Sequence, residues 1–178
     1  MCEISALQLK IRQSAETLLS RCAENHITVG TAESCTGGLI AAAVTDIPGA
    51  SSVFLGGIVS YDNRVKHEVL GVKEETLCEF GAVSSETAEE MALGAVRVLG
   101  TSLAVSVTGI AGPGGGTPEK PVGTVWLAVA SKDGQFVCRH EQFRGSRDEI
   151  RAQTVASALD LLLFAVESIR NPQSFSIE

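Results

Sequence analysis

The sequence predicts an α/β fold, a three-layer α/β/α sandwich around a mixed, mostly parallel five-stranded sheet, and three observations lead there. Short runs rich in Val and Ile alternate with longer stretches of helical period. Hydrophobic residues make up 44% of the chain and aromatics only 4%, so the core is built from Ala, Val, Leu and Ile, which suits sheets covered by helices. The last two β runs flank Lys132-Asp133-Gly134, a hairpin turn that supplies one antiparallel member. At 178 residues the chain reads as a single domain over 1–178, long enough to bury roughly 70% of its unfolded surface.

The elements follow in order. Leu7, Ile11, Ala15, Leu18 and Cys22 recur at helical spacing, which predicts an opening amphipathic helix ending near Asn25. A short strand, Ile27 to Thr31, runs into Glu33-Ser34-Cys35-Thr36-Gly37-Gly38 and then an Ala-rich helix up to Asp46, with Pro48-Gly49 as its stop. Ser34 therefore stands at a strand's carboxyl end. Val53 to Tyr61 is the second strand, followed by a short helix from Asn63 to Leu70 before Gly71. Ser84 caps the clearest helix, where Ala88, Met91, Ala92, Ala95, Val96 and Leu99 keep one apolar face. Leu103 to Val107 is the third strand and empties into a loop, Thr108 to Pro121; Thr124 to Ala130 and Phe136 to Phe143 make the hairpin. Ser146-Arg147-Asp148-Glu149 is a capping box for a last helix running to about Ile169, and residues 170–178 read as a frayed tail.

Composition excludes several classes. The net charge is −7 and the basic residues form no runs, so nucleic acid is not an expected partner. Five cysteines, Cys2, Cys22, Cys35, Cys78 and Cys138, are odd in number, widely spaced and never in a Cys-x-x-Cys pair. That argues against a disulfide framework and a zinc site and for reduced thiols. Glu3, Lys10, Arg12 and Glu16 interrupt any secretory core, which predicts a cytoplasmic protein. Residues 98–118 carry no charge but hold too much Gly, Pro, Ser and Thr for a membrane span.

Three candidates for chemistry lie at strand ends: Ser34, then Tyr61 with Lys66, then the loop from Thr108. Ser34 has a plain alternative as a helix N-cap, and Lys66 as a solvated helix lysine. In the loop Thr108-Gly109-Ile110-Ala111-Gly112-Pro113-Gly114-Gly115-Gly116-Thr117 the glycines allow backbone N–H groups to approach an anion. It lacks Gly-Lys-Ser/Thr and breaks Gly-x-Gly-x-x-Gly, so neither a Walker loop nor a dinucleotide fingerprint fits. Tyr-x-x-x-Lys also fails, because Tyr61 and Lys66 are five apart. On one continuous helix that spacing separates them by about 140°, so they converge only if Tyr61 ends the strand and Lys66 sits on the helix after it.

Ala32-Glu33-Ser34-Cys35-Thr36-Gly37-Gly38, Tyr61-Asp62-Asn63-Arg64-Val65-Lys66 with Leu70-Gly71-Val72, Gly81-Ala82-Val83-Ser84, and Thr108 to Gly115 with Val122-Gly123-Thr124-Val125 together closely resemble the CinA C-terminal domain family, the nicotinamide mononucleotide amidases. The match spans about residues 5–168. The resemblance implies an α/β sandwich, hydrolysis of nicotinamide mononucleotide to nicotinate mononucleotide and ammonia, no metal or other cofactor, and a serine, tyrosine and lysine triad falling on Ser34, Tyr61 and Lys66. Many relatives carry a further N-terminal domain; this chain resembles the stand-alone form. Asp62 departs from the small neutral residue expected beside the tyrosine, and its carboxylate would hold Lys66 more fully charged.

A serine hydroxyl needs a neighbour to take its proton before it attacks an amide. Lys66 can do this only if burial lowers its pKa from the ordinary value near 10.4. Backbone N–H groups of Thr36, Gly37 and Gly38 are the expected oxyanion donors, and Thr108, Gly109, Gly112, Gly114 and Gly115 the expected cradle for the substrate phosphate, aided by Arg144 or Arg147. Cys35 is the rival nucleophile. A non-catalytic nucleotide-binding module, or an amidase for another pyridine nucleotide, is the alternative. Twofold symmetry is common among soluble oligomers, which makes a homodimer the expected assembly.

Overall fold

A computed structural model of the chain describes residues 2–170, and the side chains of 6–169; of the expected frayed tail, residue 170 belongs to the last helix and 171–178 lie outside the described residues. The strands β1 (Val29–Glu33), β2 (Phe54–Val59), β3 (Leu103–Gly109), β4 (Thr124–Ser131) and β5 (Phe136–Gln142) form one sheet in the order β2-β1-β3-β4-β5. β1 pairs in parallel with both β2 and β3, whereas β4 is antiparallel to β3 and β5. Four strands thus share a direction and β4 is the one antiparallel member that was expected.

Alternation along the strands sorts side chains onto two faces. Leu103, Val105 and Val107 of β3 and Val125, Leu127 and Val129 of β4 pack with α1 (Cys2–Glu24), α2 (Leu39–Thr45) and α6 (Arg147–Arg170). The opposite face presents smaller residues, Ala32, Ala104, Ala128 and Ala130, to α5 (Ser85–Leu99). Helix α5 also meets closely the residues that follow α3 (Asn63–Glu68). A Cβ at Gly94 would collide with the Leu70 backbone carbonyl, which Arg97 also binds at 3.0 Å. This contact fixes the segment that carries Lys66.

Local signals placed several boundaries correctly. Ser84 Oγ accepts the Thr87 N–H at 3.2 Å, and Ser146 and Glu149 cap each other reciprocally, with Ser146 N–H on Glu149 Oε2 at 2.7 Å. Several elements differ from expectation. β1 lies two residues further on than Ile27–Thr31, because the charged Glu33 is a buried strand residue. Helix α4 (Glu74–Glu79) was not expected; its start is held by Glu90 of α5, which accepts the Lys73 N–H at 2.8 Å and the Thr76 hydroxyl at 3.0 Å. β3 also extends through Gly109, so the glycine loop begins two residues later than its sequence pattern suggests. Helix α6 is long and apolar enough to cross a membrane, with a mean hydropathy of 1.4, but 61% of that stretch is buried inside the fold.

Candidate active site

Three parallel strands end side by side, and the backbone ladder continues past them. Ser34 N–H donates to Val107 O at 3.0 Å and Ser60 N–H to Glu33 O at 2.8 Å, so the residues after β1 and β2 are held as firmly as the strands. Ser34 lies in the turn between β1 and α2. It is not the cap of that helix: Gly38 holds the N-cap position, at φ 101°, and follows Gly37 at φ 64°. The left-handed conformation at both positions is one that glycine adopts without strain. The capping task falls to Glu33, whose buried carboxylate accepts N–H bonds from Gly38, Ile40 and Ala41 at 2.9, 3.1 and 2.8 Å. The Ser34 hydroxyl is thereby left for other work.

Lys66 is 1% exposed, the largest fully buried side chain among the described residues. Its Nζ is 3.2 Å from Ser34 Oγ, 2.8 Å from Ser60 O and 3.2 Å from Tyr61 O. Burial pushes its pKa down; the charges of Asp62 and then Cys35 act the other way. Asp62 is the N-cap of α3 and accepts the Arg64 N–H at 2.8 Å. The connection differs from the one expected: β2 ends at Val59 and not at Tyr61, which lies in the link to α3, and although Lys66 is on the helix beyond, the two side chains do not converge.

Tyr61 meets Lys66 through its backbone carbonyl. Its side chain is 63% exposed, and its hydroxyl lies 3.5 Å from Arg147 Nη2. Cys35 is buried, and desolvation is the main reason its thiol is pushed up to about 11. A thiol so held is a poor nucleophile near neutrality.

Of the three expected oxyanion donors, Gly37 N–H closes on Ser34 O at 3.1 Å and Gly38 N–H is taken by Glu33. Thr36 N–H bonds no group among the described residues. In the glycine loop, Thr108 Oγ1 donates to Ala82 O at 2.6 Å and Lys120 Nζ donates to Phe80 O and Val83 O, both at 2.8 Å, which ties Gly81-Ala82-Val83-Ser84 to the site. At Gly109 a Cβ would sit 2.7 Å from Val125 Cγ2, so this glycine serves packing. Gly112 presents its carbonyl to Arg147 Nη1 at 2.7 Å. Gly114 and Gly115 are exposed, and the N–H groups of residues 111, 112 and 114–116 carry no bond among the described residues. Arg144 is exposed.

Two features escaped sequence reasoning. One is the Glu33 cap. The other is Arg151 of α6, whose Nε donates to Cys35 O at 3.2 Å and Nη2 to Thr36 O at 2.7 Å. Arg147 and Arg151 are one helical turn apart on α6 and reach the two sides of the same site.

Residues 11–166 match the CinA C-terminal domain. A CinA-like protein of Leptospira borgpetersenii is 54% identical over 139 residues, covering 78% of this chain and 33% of that protein. The chain thus spans about a third of the length of such relatives. Nicotinamide-nucleotide amidohydrolase PncC of Escherichia coli (strain K12) is 52% identical over 135 residues, covering 76% of this chain and 82% of that enzyme. Among solved structures, the competence/damage inducible protein CihA from Agrobacterium tumefaciens superposes with a TM-score of 0.86 at 46% identity, covering 89% of this chain and 96% of that one.

Proposed function

The chain belongs to the CinA C-terminal domain family, and we infer that it is an amide hydrolase that converts nicotinamide mononucleotide to nicotinate mononucleotide and ammonia, with Ser34 as nucleophile and Lys66 as its base. The observation that carries this is the set of partners at Lys66 Nζ. Two of them, Ser60 O and Tyr61 O, are carbonyls that can only accept. A neutral amine has two N–H bonds for these carbonyls and one lone pair, which then faces the Ser34 hydroxyl. Burial favours that neutral form. The activity printed for the PncC relatives supplies the substrate.

In this reaction Ser34 Oγ attacks the carboxamide carbon as its proton passes to Lys66 Nζ. The tetrahedral oxyanion collapses, the C–N bond breaks, and Lys66 returns the proton to the departing nitrogen, which leaves as ammonia. Water then opens the acyl-enzyme with the same lysine as base. Tyr61 acts through its carbonyl, orienting the amine, while its hydroxyl faces Arg147 at the mouth of the site. The free N–H groups of the Gly112–Gly116 stretch, with Arg147 beside them, take the substrate phosphate.

Incubation with nicotinamide mononucleotide and measurement of ammonia tests this directly. Release from this nucleotide well above that from nicotinamide, nicotinamide riboside or the dinucleotide is the expected result. No release from the mononucleotide refutes the substrate assignment.

A further inference from the structure

We propose that Arg151 is a positioning residue for this hydrolysis: its guanidinium presets the Thr36 N–H as the donor that meets the substrate's developing oxyanion. The inference rests on the serine-amidase function proposed above. Arg151 binds two consecutive carbonyls of the turn, those of Cys35 and Thr36. Across a trans peptide the carbonyl and the following N–H point to opposite edges. Holding Cys35 O toward α6 therefore turns the Thr36 N–H away from α6. Holding Thr36 O does the same for the Gly37 N–H, which closes on Ser34 O. Of these two only the Thr36 N–H carries no bond among the described residues, in a residue that is itself fully buried, so a ligand meets it at the floor of the site.

The direction is the useful one. Arg151 reaches in from the α1, α2 and α6 layer, where Cys35 packs. Lys66 comes from the helix that leads to Leu70 and Val72, both packed in the α5 layer. The N–H turned from Arg151 thus faces the side from which Lys66 reaches Ser34. The clamp is needed because Gly37 and Gly38 follow immediately, and glycine's tolerance of both signs of φ lets neighbouring peptides reorient at little cost. A planar guanidinium with two fixed donors specifies both peptides at once, and a lysine ammonium does not. Its charge also polarises the two peptide units, which strengthens the outward N–H.

The test uses the whole chain as wild type, Arg151→Met and Arg151→Lys. Two rates are measured: ammonia release from nicotinamide mononucleotide, and phosphonylation of Ser34 by a fluorophosphonate. In the second, the P–Oγ bond forms, fluoride leaves, the serine proton goes to Lys66, and the phosphonyl oxygen uses the same donor whatever the natural amide is. Both kcat and the phosphonylation rate are expected to fall roughly tenfold to a hundredfold in Arg151→Met, as for a displaced oxyanion donor. KM should stay within about twofold, with an unchanged thermal midpoint. Arg151→Lys recovers part of the rate, and added guanidinium restores part of it to the methionine variant but not to wild type.

A folded Arg151→Met with both rates at the wild-type level overturns the proposal. So does a loss confined to KM, a rate loss that follows a lowered thermal midpoint without guanidinium rescue, or a wild-type Ser34 inert to the probe. Wild type that is phosphonylated yet releases no ammonia refutes the substrate assignment instead, and the probe rates then decide the role of Arg151.

Discussion

The two halves of the site are built differently. In the Ser34–Gly38 turn most polar groups are engaged: Glu33 holds the Gly38 N–H together with two N–H groups of α2, Arg151 two carbonyls, and Lys66 the Ser34 hydroxyl, while the Thr36 N–H and hydroxyl carry no bond among the described residues. In the glycine loop, residues 113–119 are exposed and most of their N–H groups are free among the described residues. A reacting centre gains from groups that need no reorganisation as charge develops. A grip for an anion gains from donors that are still available. Damage to the turn should therefore appear in kcat, and damage to the loop in KM.

The largest effect is expected at the nucleophile. Ser34→Ala should lower kcat at least about a thousandfold with the fold intact, by comparison with other serine hydrolases. Cys35→Ala should keep most of the activity, and iodoacetamide at neutral pH should leave the enzyme working. Steady-state ammonia release from the two variants checks both; an active Ser34→Ala would remove the turn from the chemistry altogether.

Lys66→Met should lose activity on a similar scale, with a stability signature that a surface lysine would not give. The folded pKa of Lys66 lies below its unfolded value, so between the two the unfolded chain binds more protons and stability rises with pH. At pH below the folded value the burial penalty is present in full. Lys66→Met should then melt above wild type at low and neutral pH, and the gap should close as pH rises toward about 10. Thermal midpoints across that range would show it. By the same titration, kcat/KM should rise with pH through a limb lying below the ordinary lysine value.

The loop gives a smaller effect of the other kind. Gly114 has open space where a Cβ would stand and no left-handed φ, so Gly114→Val should fold normally. It should raise KM several-fold, roughly 1 kcal/mol of binding, with kcat little changed. A fall in kcat alone would erase the contrast between the two halves. Smallest is Asp62→Asn, which keeps an oxygen for the Arg64 N–H but removes the charge that raises the Lys66 pKa. The acid limb of its pH–rate curve should move to lower pH.

What could be read along the chain is whatever short-range chemistry encodes. Ser84 bonds a neighbour three residues on, Ser146 and Glu149 complete a capping box within four, and Met91, Ala95 and Leu99 mark one face by period alone. That the sheet holds one antiparallel strand followed from a turn of a few residues. Helix α4 was hidden because its start is held by Glu90, seventeen positions after Lys73. Glu33 concealed the end of β1, since a carboxylate in a strand looks exposed until the N–H groups that receive it are in place.

Alone, the sequence determined the order of the five strands and of the helices other than α4, the side of the sheet where strand ends gather, and Ser34 and Lys66 as candidates there, because periodicity, caps and turns act over a few residues. Only the tertiary structure decided that Lys66 is buried and lowered in pKa, that Tyr61 meets it by a carbonyl, and that Arg151 reaches the turn across 116 residues of chain. Desolvation and the direction of a peptide dipole depend on what packs against them, and that is settled only when distant segments close on one another.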